Sequence, residues 1–541
     1  MIRPPSSVQL KTIKQVFDEY EEKTREEMEQ EPLQIDEDAA FKKLIRILIV
    51  RKDLQPGLLK IVHQIHAQLQ KQAHINIEEL YPLLIHLAEI TAESETKQRQ
   101  FVATAFLKSK VTELLQTKIL SGNLPDRIKL QTSLILSLLG KVRELSLPIL
   151  KPIGSCLCDA LKRINMSDDN EKKMAASILH GINCLCFNRV NWYAFTDEQT
   201  KEVVVPTAKK AEFWSGTGFA LGTLCEMTSR DDALRTRLFT EFGMLESLGG
   251  ILQKGGNQGE LSDVDEWIDI ASKEMTVQQR LDTTLTTRNP DQLLLKRIRT
   301  RLFIVENAIR MIGLILYKNP DAIQHIIEAP LLVPRVVEWG LRVFGDLKNH
   351  PSLRRAELKE GEASGSDQQD DDEEDDDDVD NKDEQVNKID EDSDVLQSDS
   401  QSSVDVENIE DAQVEYTSGG IRYWCVEVLG SILEVDTLQD KKKIMIDFGG
   451  LAFLASYMDI TRESDEHSIC WVLVLIARFF DLLHHNMQDS SGDEQDKKKY
   501  AEEWYKECVT IMQRCNAMDN LEKLKAHKNI MIRSKAASIR T

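Results

Sequence analysis

Apolar residues recur along most of this chain with the period of an α-helix. Phe41, Leu44, Ile45 and Leu48 occupy positions i, i+3, i+4 and i+7, and similar stripes return down the sequence. Glycine, proline and polar residues interrupt the stripes at short intervals, and alternation typical of β-strands is missing. The run 203–206, Val-Val-Val-Pro, is interpreted as a loop. The pattern therefore predicts an all-α chain of many helices with short connections, that is, an α-solenoid.

Three segments, 221–252, 312–336 and 429–458, repeat one arrangement. Each has an apolar helix that ends in a small-residue turn, then a polar break, a short helix, a glycine or proline corner and a further apolar helix. Glycine lets neighbouring helices approach closely, and at the corners it permits backbone angles that other residues avoid. The helices contain Leu221-Gly222-Thr223-Leu224, Ile312-Gly313-Leu314-Ile315 and Leu429-Gly430-Ser431-Ile432. The glycine corners read Phe242-Gly243-Met244-Leu245 and Phe448-Gly449-Gly450-Leu451.

These motifs resemble the armadillo/HEAT superfamily of helical repeats. The resemblance covers residues 205–345 and 415–485, and residues 35–200 share the period without the corner motif. It implies an armadillo/HEAT-like α-solenoid, a right-handed superhelix of about eight to ten repeats. We predict that a disordered acidic loop interrupts this superhelix. The resemblance also implies a concave groove that binds partner proteins.

The composition divides the 541 residues into five parts. An N-terminal helical or flexible segment covers 1–34. Solenoid repeats cover 35–351, with an insertion at about 253–295 that holds one short predicted helix near 264–270. An acidic linker covers 352–416; its composition cannot bury enough apolar surface to offset the entropy of ordering. The solenoid continues over 417–486, and 487–541 form a terminal helix and a basic tail.

The acidic linker carries most of the net charge of −23. Residues 367–411 contain 22 acidic residues and two lysines, so the remainder of the chain is nearly neutral. One interpretation is an electrostatic site for a basic partner, such as a histone tail or a localisation signal; the other is a solubilising loop. Acid-directed phosphorylation is predicted at Ser364, Ser398 and Ser402. The nine consecutive carboxylates are Asp370, Asp371, Asp372, Glu373, Glu374, Asp375, Asp376, Asp377 and Asp378.

Two further features suggest partner contacts. The basic stretch 523–541 could contact nucleic acid, an acidic membrane or the acidic linker, but an ordinary frayed terminus is the favoured interpretation. Trp192 and Trp267 lie in irregular sequence, where either could anchor a partner. Trp214, Trp424 and Trp471 lie in the repeats and are interpreted as filling the seams between them. None is followed four residues later by asparagine, the spacing of importin-α-like adaptors, so that class is disfavoured.

Catalytic and metal-binding signatures are absent from the sequence. The pairs Cys156/Cys158 and Cys184/Cys186 stand in apolar helical stretches, where residues i and i+2 point apart, so buried cysteines are favoured over zinc ligands. The apolar run 469–477 is shorter than the roughly 20 residues of a membrane span and is predicted to be a buried helix. Nine scattered cysteines and no secretory signal favour the cytoplasm or nucleus.

The favoured function is a non-catalytic scaffold or adaptor that binds one or more proteins in the solenoid groove, without a cofactor or a small-molecule substrate. Two alternatives stay open. One is a chaperone or nucleotide-exchange cofactor for a GTPase or Hsp70-like client, for which accelerated nucleotide release would be diagnostic. The other is a chromatin or nucleic-acid-associated factor acting through the basic tail, which predicts steeply salt-dependent binding.

Overall fold

The structure of the chain is a computed structural model, and every regular element in the part of the chain it describes is a helix. These helices pack against one another in chain order, an arrangement consistent with an α-solenoid. The structure describes residues 37–50, 56–69, 77–93, 96–188, 191, 198–210, 215–255, 292–328, 332–343, 418–434, 437–460, 465–488 and 495–539.

The helices are numbered here in chain order. The first nine are α1 Glu37–Ile49, α2 Pro56–Leu69, α3 Ile77–Glu93, α4 Thr96–Lys108, α5 Val111–Leu115, α6 Asp126–Val142, α7 Leu147–Arg163, α8 Asp169–Phe187 and α9 Glu198–Lys209. The next six are α10 Ser215–Thr228, α11 Asp232–Thr240, α12 Met244–Gly255, α13 Gln292–Leu316, α14 Pro320–Glu328 and α15 Leu332–Arg342. The last seven are α16 Ser418–Ile432, α17 Leu438–Lys442, α18 Gly450–Ser456, α19 Glu466–Gln488, α20 Gln495–Arg514, α21 Ala517–Lys525 and α22 Ile530–Ser538. Single π-helical turns, Gln116–Leu120 and Lys443–Asp447, follow α5 and α17.

Seven helices, α3, α6, α8, α10, α13, α16 and α19, stack side by side in that order. From α6 onward the neighbours run parallel, because their contacts join residues at a nearly constant separation along the sequence. Between α10 and α13 these contacts are Gly218 with Phe303, Gly222 with Asn307, and Glu226 with Arg310. Between α13 and α16 they are Glu306 with Gly420, Arg310 with Trp424, and Gly313 with Val428. The chain thus returns repeatedly to the same direction and register, as a solenoid does.

A second row of helices, α7, α9, α12, α15, α18 and α20, packs in the same order beside the first. Short helices α11, α14 and α17 connect the two rows. Asp231, Asn319 and Thr437 each accept a hydrogen bond from a backbone N–H in the first turn of these helices. The polar breaks in the sequence therefore supply the helix N-caps.

The predicted internal repetition corresponds to three successive three-helix units, α10–α12, α13–α15 and α16–α18. The corner glycines adopt left-handed backbone angles, with φ of +54° at Gly243 and +80° at Gly449. In the polar break between α13 and α14, Lys318 takes the same region, with φ of +55°, and Pro320 then opens α14. Both corner glycines therefore have the conformational role that the sequence predicted.

The interpretation of residues 203–206 as a loop is wrong. Val203, Val204 and Val205 lie inside α9 with their side chains buried, whereas Pro206 is exposed. Proline removes one helical hydrogen bond, and burial of three adjacent valines contributes roughly 1.5–3 kcal/mol each. Tertiary packing therefore outweighs the low helix propensity of this run.

The basic C-terminal stretch is folded rather than frayed over its described residues. Leu524, Ile532 and Ala536 are buried where α21 and α22 pack on each other, and α22 packs on α19. Asn529 donates a hydrogen bond to Glu466 over 2.7 Å. Apolar residues interleave with the basic ones at helical spacing, so the charges lie outside while the helices pack.

The run 469–477 is a buried helical segment, as predicted, because it forms the first half of α19 and most of its apolar side chains are buried. Among the described residues α19 is the one helix that is long and apolar enough to cross a membrane. Its most apolar 18-residue window has a mean hydropathy of 1.5 and is 56% buried inside the protein. A core helix of a soluble protein meets the same criteria, so this finding is weak support for a membrane span.

Candidate protein-binding face

The site residues predicted from sequence lie outside the described residues, and their roles stay predictions. They are Trp192, Trp267, Ser364, Ser398, Ser402 and the carboxylates Asp370, Asp371, Asp372, Glu373, Glu374, Asp375, Asp376, Asp377 and Asp378. The 253–295 insertion and the 352–416 linker also fall largely or wholly outside. The described part of the molecule offers a different candidate, built along the row of parallel helices.

Tryptophans fill two successive seams of this row. A methyl group placed on Gly313 would lie 3.6 Å from the Trp424 ring, and one on Gly430 would lie 3.2 Å from the Trp471 ring. Each glycine thus leaves the space into which the next helix inserts its indole. The sequence interpretation as seam fillers is confirmed for Trp424 and Trp471, whereas Trp214 lies outside the described residues.

A charged network crosses the same row at Glu226. Its carboxylate accepts a hydrogen bond from Arg310 of α13 over 2.7 Å and another from Arg230 over 3.1 Å. Arg230 also donates to the carbonyls of Cys186 and Phe187, where α8 ends. The partial negative charge of a helix C-terminus favours this arginine. Glu226 is buried, so it holds two cations in an environment of weak solvent screening.

Arg310 extends the network to α16, because its guanidinium lies 5.5 Å from the centroid of the Trp424 ring. Four helices, α8, α10, α13 and α16, are therefore joined through Glu226 and its two arginines. Such a network fixes the register of successive units more specifically than apolar packing does, since a displaced helix would leave a buried charge uncompensated.

Glu306 stands one turn before Arg310 on α13 and has no hydrogen bond or ion pair with another described residue. Its carboxylate lies against the first turn of α16, so a methyl group on Gly420 would overlap it. Burial raises the pKa of Glu306 to about 7, although the charge of Arg310 acts in the opposite direction. A carboxyl group in this state is partly protonated near neutral pH.

We expect Glu306 to make the stability of the protein pH-dependent. The folded pKa of Glu306, about 7, exceeds its ordinary value of 4.5. The contribution of Glu306 to the free energy of unfolding is therefore fully present below pH 4.5 and is lost as pH rises through 7. The loss is on the order of 2–3 kcal/mol relative to a Glu306→Gln variant. Urea unfolding of both proteins between pH 5 and pH 8 measures it. Glu434→Gln, an exposed change just beyond α16, should keep the wild-type dependence of the unfolding free energy on pH. The same pH dependence for Glu306→Gln and wild type would contradict the expectation.

Aromatic rings on some of these helices are exposed to solvent. Phe187, Tyr317 and Tyr423 are 53%, 51% and 36% exposed and lie on or just beyond α8, α13 and α16. We call the side of the stacked helices α8, α10, α13, α16 and α19 that carries Phe187, Arg230, Arg310, Trp424 and Trp471 the ladder face. Residues 216–228 of α10 are buried, so Arg230, just beyond that helix, represents it on this face. It combines half-buried charges with exposed rings, the residue types enriched in protein interfaces.

The cysteine pairs lie in α7 and α8, as the sequence indicated. Cys158, Cys184 and Cys186 are buried, and Cys156 is half-buried. Burial raises the pKa of the Cys186 thiol well above its ordinary value, which disfavours the reactive thiolate. Within the described ranges, no three His, Cys, Asp or Glu side chains converge in a way that could hold a metal ion.

Sequence reasoning overlooked the charges of the ladder face. One clue was available: Glu226 is the sole charged residue of α10, a helix otherwise made of small and apolar residues. A single carboxylate in such a helix is costly unless it is paired. Its partner Arg310 is 84 residues away, so only the folded stack reveals the pair.

Comparisons with known proteins do not identify a family for this chain. No protein-family model matches the chain, and no curated protein does. Among solved structures, the crystal structure of an engineered protein from the Northeast Structural Genomics Consortium matches at 14% identity. The match covers 88% of this chain and 98% of the other, with a TM-score of 0.35, too low to support an argument about fold or function.

Proposed function

We propose that this protein is a non-catalytic scaffold or adaptor that binds other proteins along the ladder face. The observation that carries the proposal is the register of the stacked helices, which sets partly exposed side chains of α8, α13, α16 and α19 along one side of the stack. Charged and aromatic residues are among them, including Phe187, Arg310 and Trp424. A long surface of this kind suits an extended or helical partner segment.

We further propose that the stack is an armadillo/HEAT-like, right-handed superhelix whose ladder face lines the groove. The acidic linker 352–416 would act as an electrostatic or phosphorylation-controlled element beside it. The protein would work in the cytoplasm, the nucleus or both. The motifs of residues 205–345 and 415–485 and the three stacked three-helix units support this proposal.

A capture experiment with matched variants tests the proposed face. Phe187→Ala, Tyr317→Ala and Tyr423→Ala are combined in one full-length protein. The control combines Tyr500→Ala, Ile530→Ala and Met531→Ala, which removes large side chains that are also exposed but lie on α20 and α22. Partners captured from the native cell are quantified by mass spectrometry, and a third variant lacks residues 364–413.

We expect the ladder-face variant to lose its specific partners at least tenfold and the control to retain them. Exposed rings carry much of the affinity of an interface while contributing little to folding, so both variants should keep the wild-type thermal midpoint within a few degrees. Partners that are lost only from the variant lacking residues 364–413 would assign recognition to the acidic linker. Unchanged capture by the ladder-face variant would contradict the proposal.

A further inference from the structure

We propose that the part of the ladder face formed by α13, α16 and α19 recognises a basic segment of a partner protein, whose Lys or Arg side chains meet Glu306 and Glu427 on either side of Tyr423. The inference rests on the proposed scaffold function and names the chemistry of the partner at one place on the face. It concerns the folded helices and is separate from any role of the acidic linker.

Glu306 is the first reason. Its carboxylate is largely buried against Gly420, yet no described residue donates a hydrogen bond to it. The nearest cation, Arg310, is already bound to Glu226 over 2.7 Å. A desolvated carboxylate without a partner is costly, and a cation bound from outside removes that cost.

Glu427 is the second reason. It lies on the same face of α16, seven residues after Gly420, and is half-buried without a hydrogen-bonding or ion-pair partner among the described residues. Burial raises the pKa of Glu427, and His467 of α19 opposes this through its charge. Burial thus raises the pKa of both carboxyl groups. Gly420, which adjoins Glu306, and Glu427 are about 10 Å apart along α16 at 1.5 Å per residue.

Aromatic surface lies between the two carboxylates. Tyr423 is 36% exposed and packs edge-on against Trp424, with ring centroids 5.1 Å apart. Arg310 already covers the Trp424 ring, whereas Tyr423 offers its ring to a ligand. An aromatic ring attracts Lys and Arg, and the carboxylates nearby repel an anion.

The spacing indicates how a basic segment would fit. A segment in the polyproline II conformation advances about 3.1 Å per residue and completes a turn every three residues, so basic side chains three residues apart lie on the same side, about 9 Å apart. This is close to the roughly 10 Å along α16 between Glu427 and the turn that adjoins Glu306. An apolar segment would bury both carboxylates further without compensation, and a metal ion would need a third ligand close to either of them.

Selection of displayed random dodecapeptides on immobilised full-length protein tests the proposal. Three proteins are compared: wild type, Glu306→Gln/Glu427→Gln, and the control Glu434→Gln/Asp481→Asn. The control removes the same two charges from exposed positions on the same stretch of helices. The acidic linker is present in all three proteins. Basic peptides that bind the linker are therefore enriched equally by all three and do not change the comparison.

We expect wild type and control to enrich peptides with Lys or Arg three residues apart, and the Glu306→Gln/Glu427→Gln protein to lose this enrichment. A peptide so enriched should bind the double variant at least tenfold more weakly and the control within twofold, by fluorescence anisotropy. Its affinity for wild type should also fall from pH 8 to pH 6, as Glu306 takes up a proton beside Arg310 and Cys225. The thermal midpoint of the double variant should not decrease, because it loses two unpaired charges.

Equal enrichment of basic residues by all three proteins would overturn the proposal, as would twofold or smaller weakening in the double variant. These failures are distinct from failure of the scaffold function. If the aromatic ladder-face variant loses its cellular partners while both glutamates prove dispensable, the face binds proteins by other contacts. If that variant retains its partners, the proposed function itself fails.

Discussion

Replacing Glu226 with alanine is expected to lower the free energy of unfolding by about 3–5 kcal/mol, the usual cost of breaking a buried ion pair by removing one partner. The substitution leaves Arg310 and Arg230 partly buried without their shared carboxylate. Arg230 keeps its hydrogen bonds to the end of α8, but Arg310 keeps only the face of Trp424. The loss should therefore loosen α13 from α10 more than it loosens α10 from α8.

Chemical denaturation of wild type and Glu226→Ala measures this loss, and hydrogen exchange of α13 amides localises it. Glu241→Ala is the matched control. Glu241 pairs with Arg237 over 2.8 Å, but both side chains are more than a third exposed, so removal should cost at most about 1 kcal/mol. Replacing both members of the buried pair, as Glu226→Ala/Arg310→Met, should recover part of the stability because no uncompensated charge remains. A cost below 1 kcal/mol for Glu226→Ala would show that the network contributes little.

Trp339→Ala is expected to be similarly destabilising, by about 3–5 kcal/mol, as is typical of a large aromatic side chain removed from a core. Trp339 lies on α15 and is 1% exposed. Its indole N–H donates to the carbonyl of Leu252 on α12 over 3.3 Å, so it joins two successive units of the second row. The next residue, Gly340, adjoins the Phe453 ring of α18 so closely that a methyl group there would overlap it. The surrounding helices have little freedom to close the cavity.

Thermal and urea unfolding of Trp339→Ala provide the measurement. Trp339→Phe separates the hydrogen bond from the packing, and we expect it to cost about 1–2 kcal/mol. Tyr500→Ala serves as the exposed aromatic control; the ring is 52% exposed, and its loss should cost less than about 1 kcal/mol. If Trp339→Ala and Tyr500→Ala proved equally mild, α12 and α15 would not share a core.

Much of the local structure follows from short-range pattern. The apolar stripes predicted the helices, the polar breaks coincide with the caps Asp231, Asn319 and Thr437, and the corner glycines Gly243 and Gly449 adopt the predicted backbone region. These features depend on neighbours within a turn or two, so a single sequence contains the information for them. The same is true of the buried run 469–477.

Other predictions were wrong, and other features were missed, because residues distant in the sequence decide them. Val203–Val205 are helical since α9 packs on α10 and buries them, and the basic terminus folds since α19 offers α22 a surface. The candidate binding face depends most strongly on how successive helices are aligned against each other in the stack. Glu226 and Arg310 belong to different units, and so do Glu306 and Gly420.

The sequence by itself therefore determined an all-helical chain with three recurring units and a strongly acidic segment, because helical period, caps and composition are local properties. Only the tertiary structure decided which charges are paired and which are left open. Helix stacking brings together residues 84 positions apart, as for Glu226 and Arg310, and the same stacking leaves Glu306 and Glu427 desolvated without a partner among the described residues. Desolvation and pairing depend on what surrounds a carboxylate in space, and that surrounding exists only after the helices have packed.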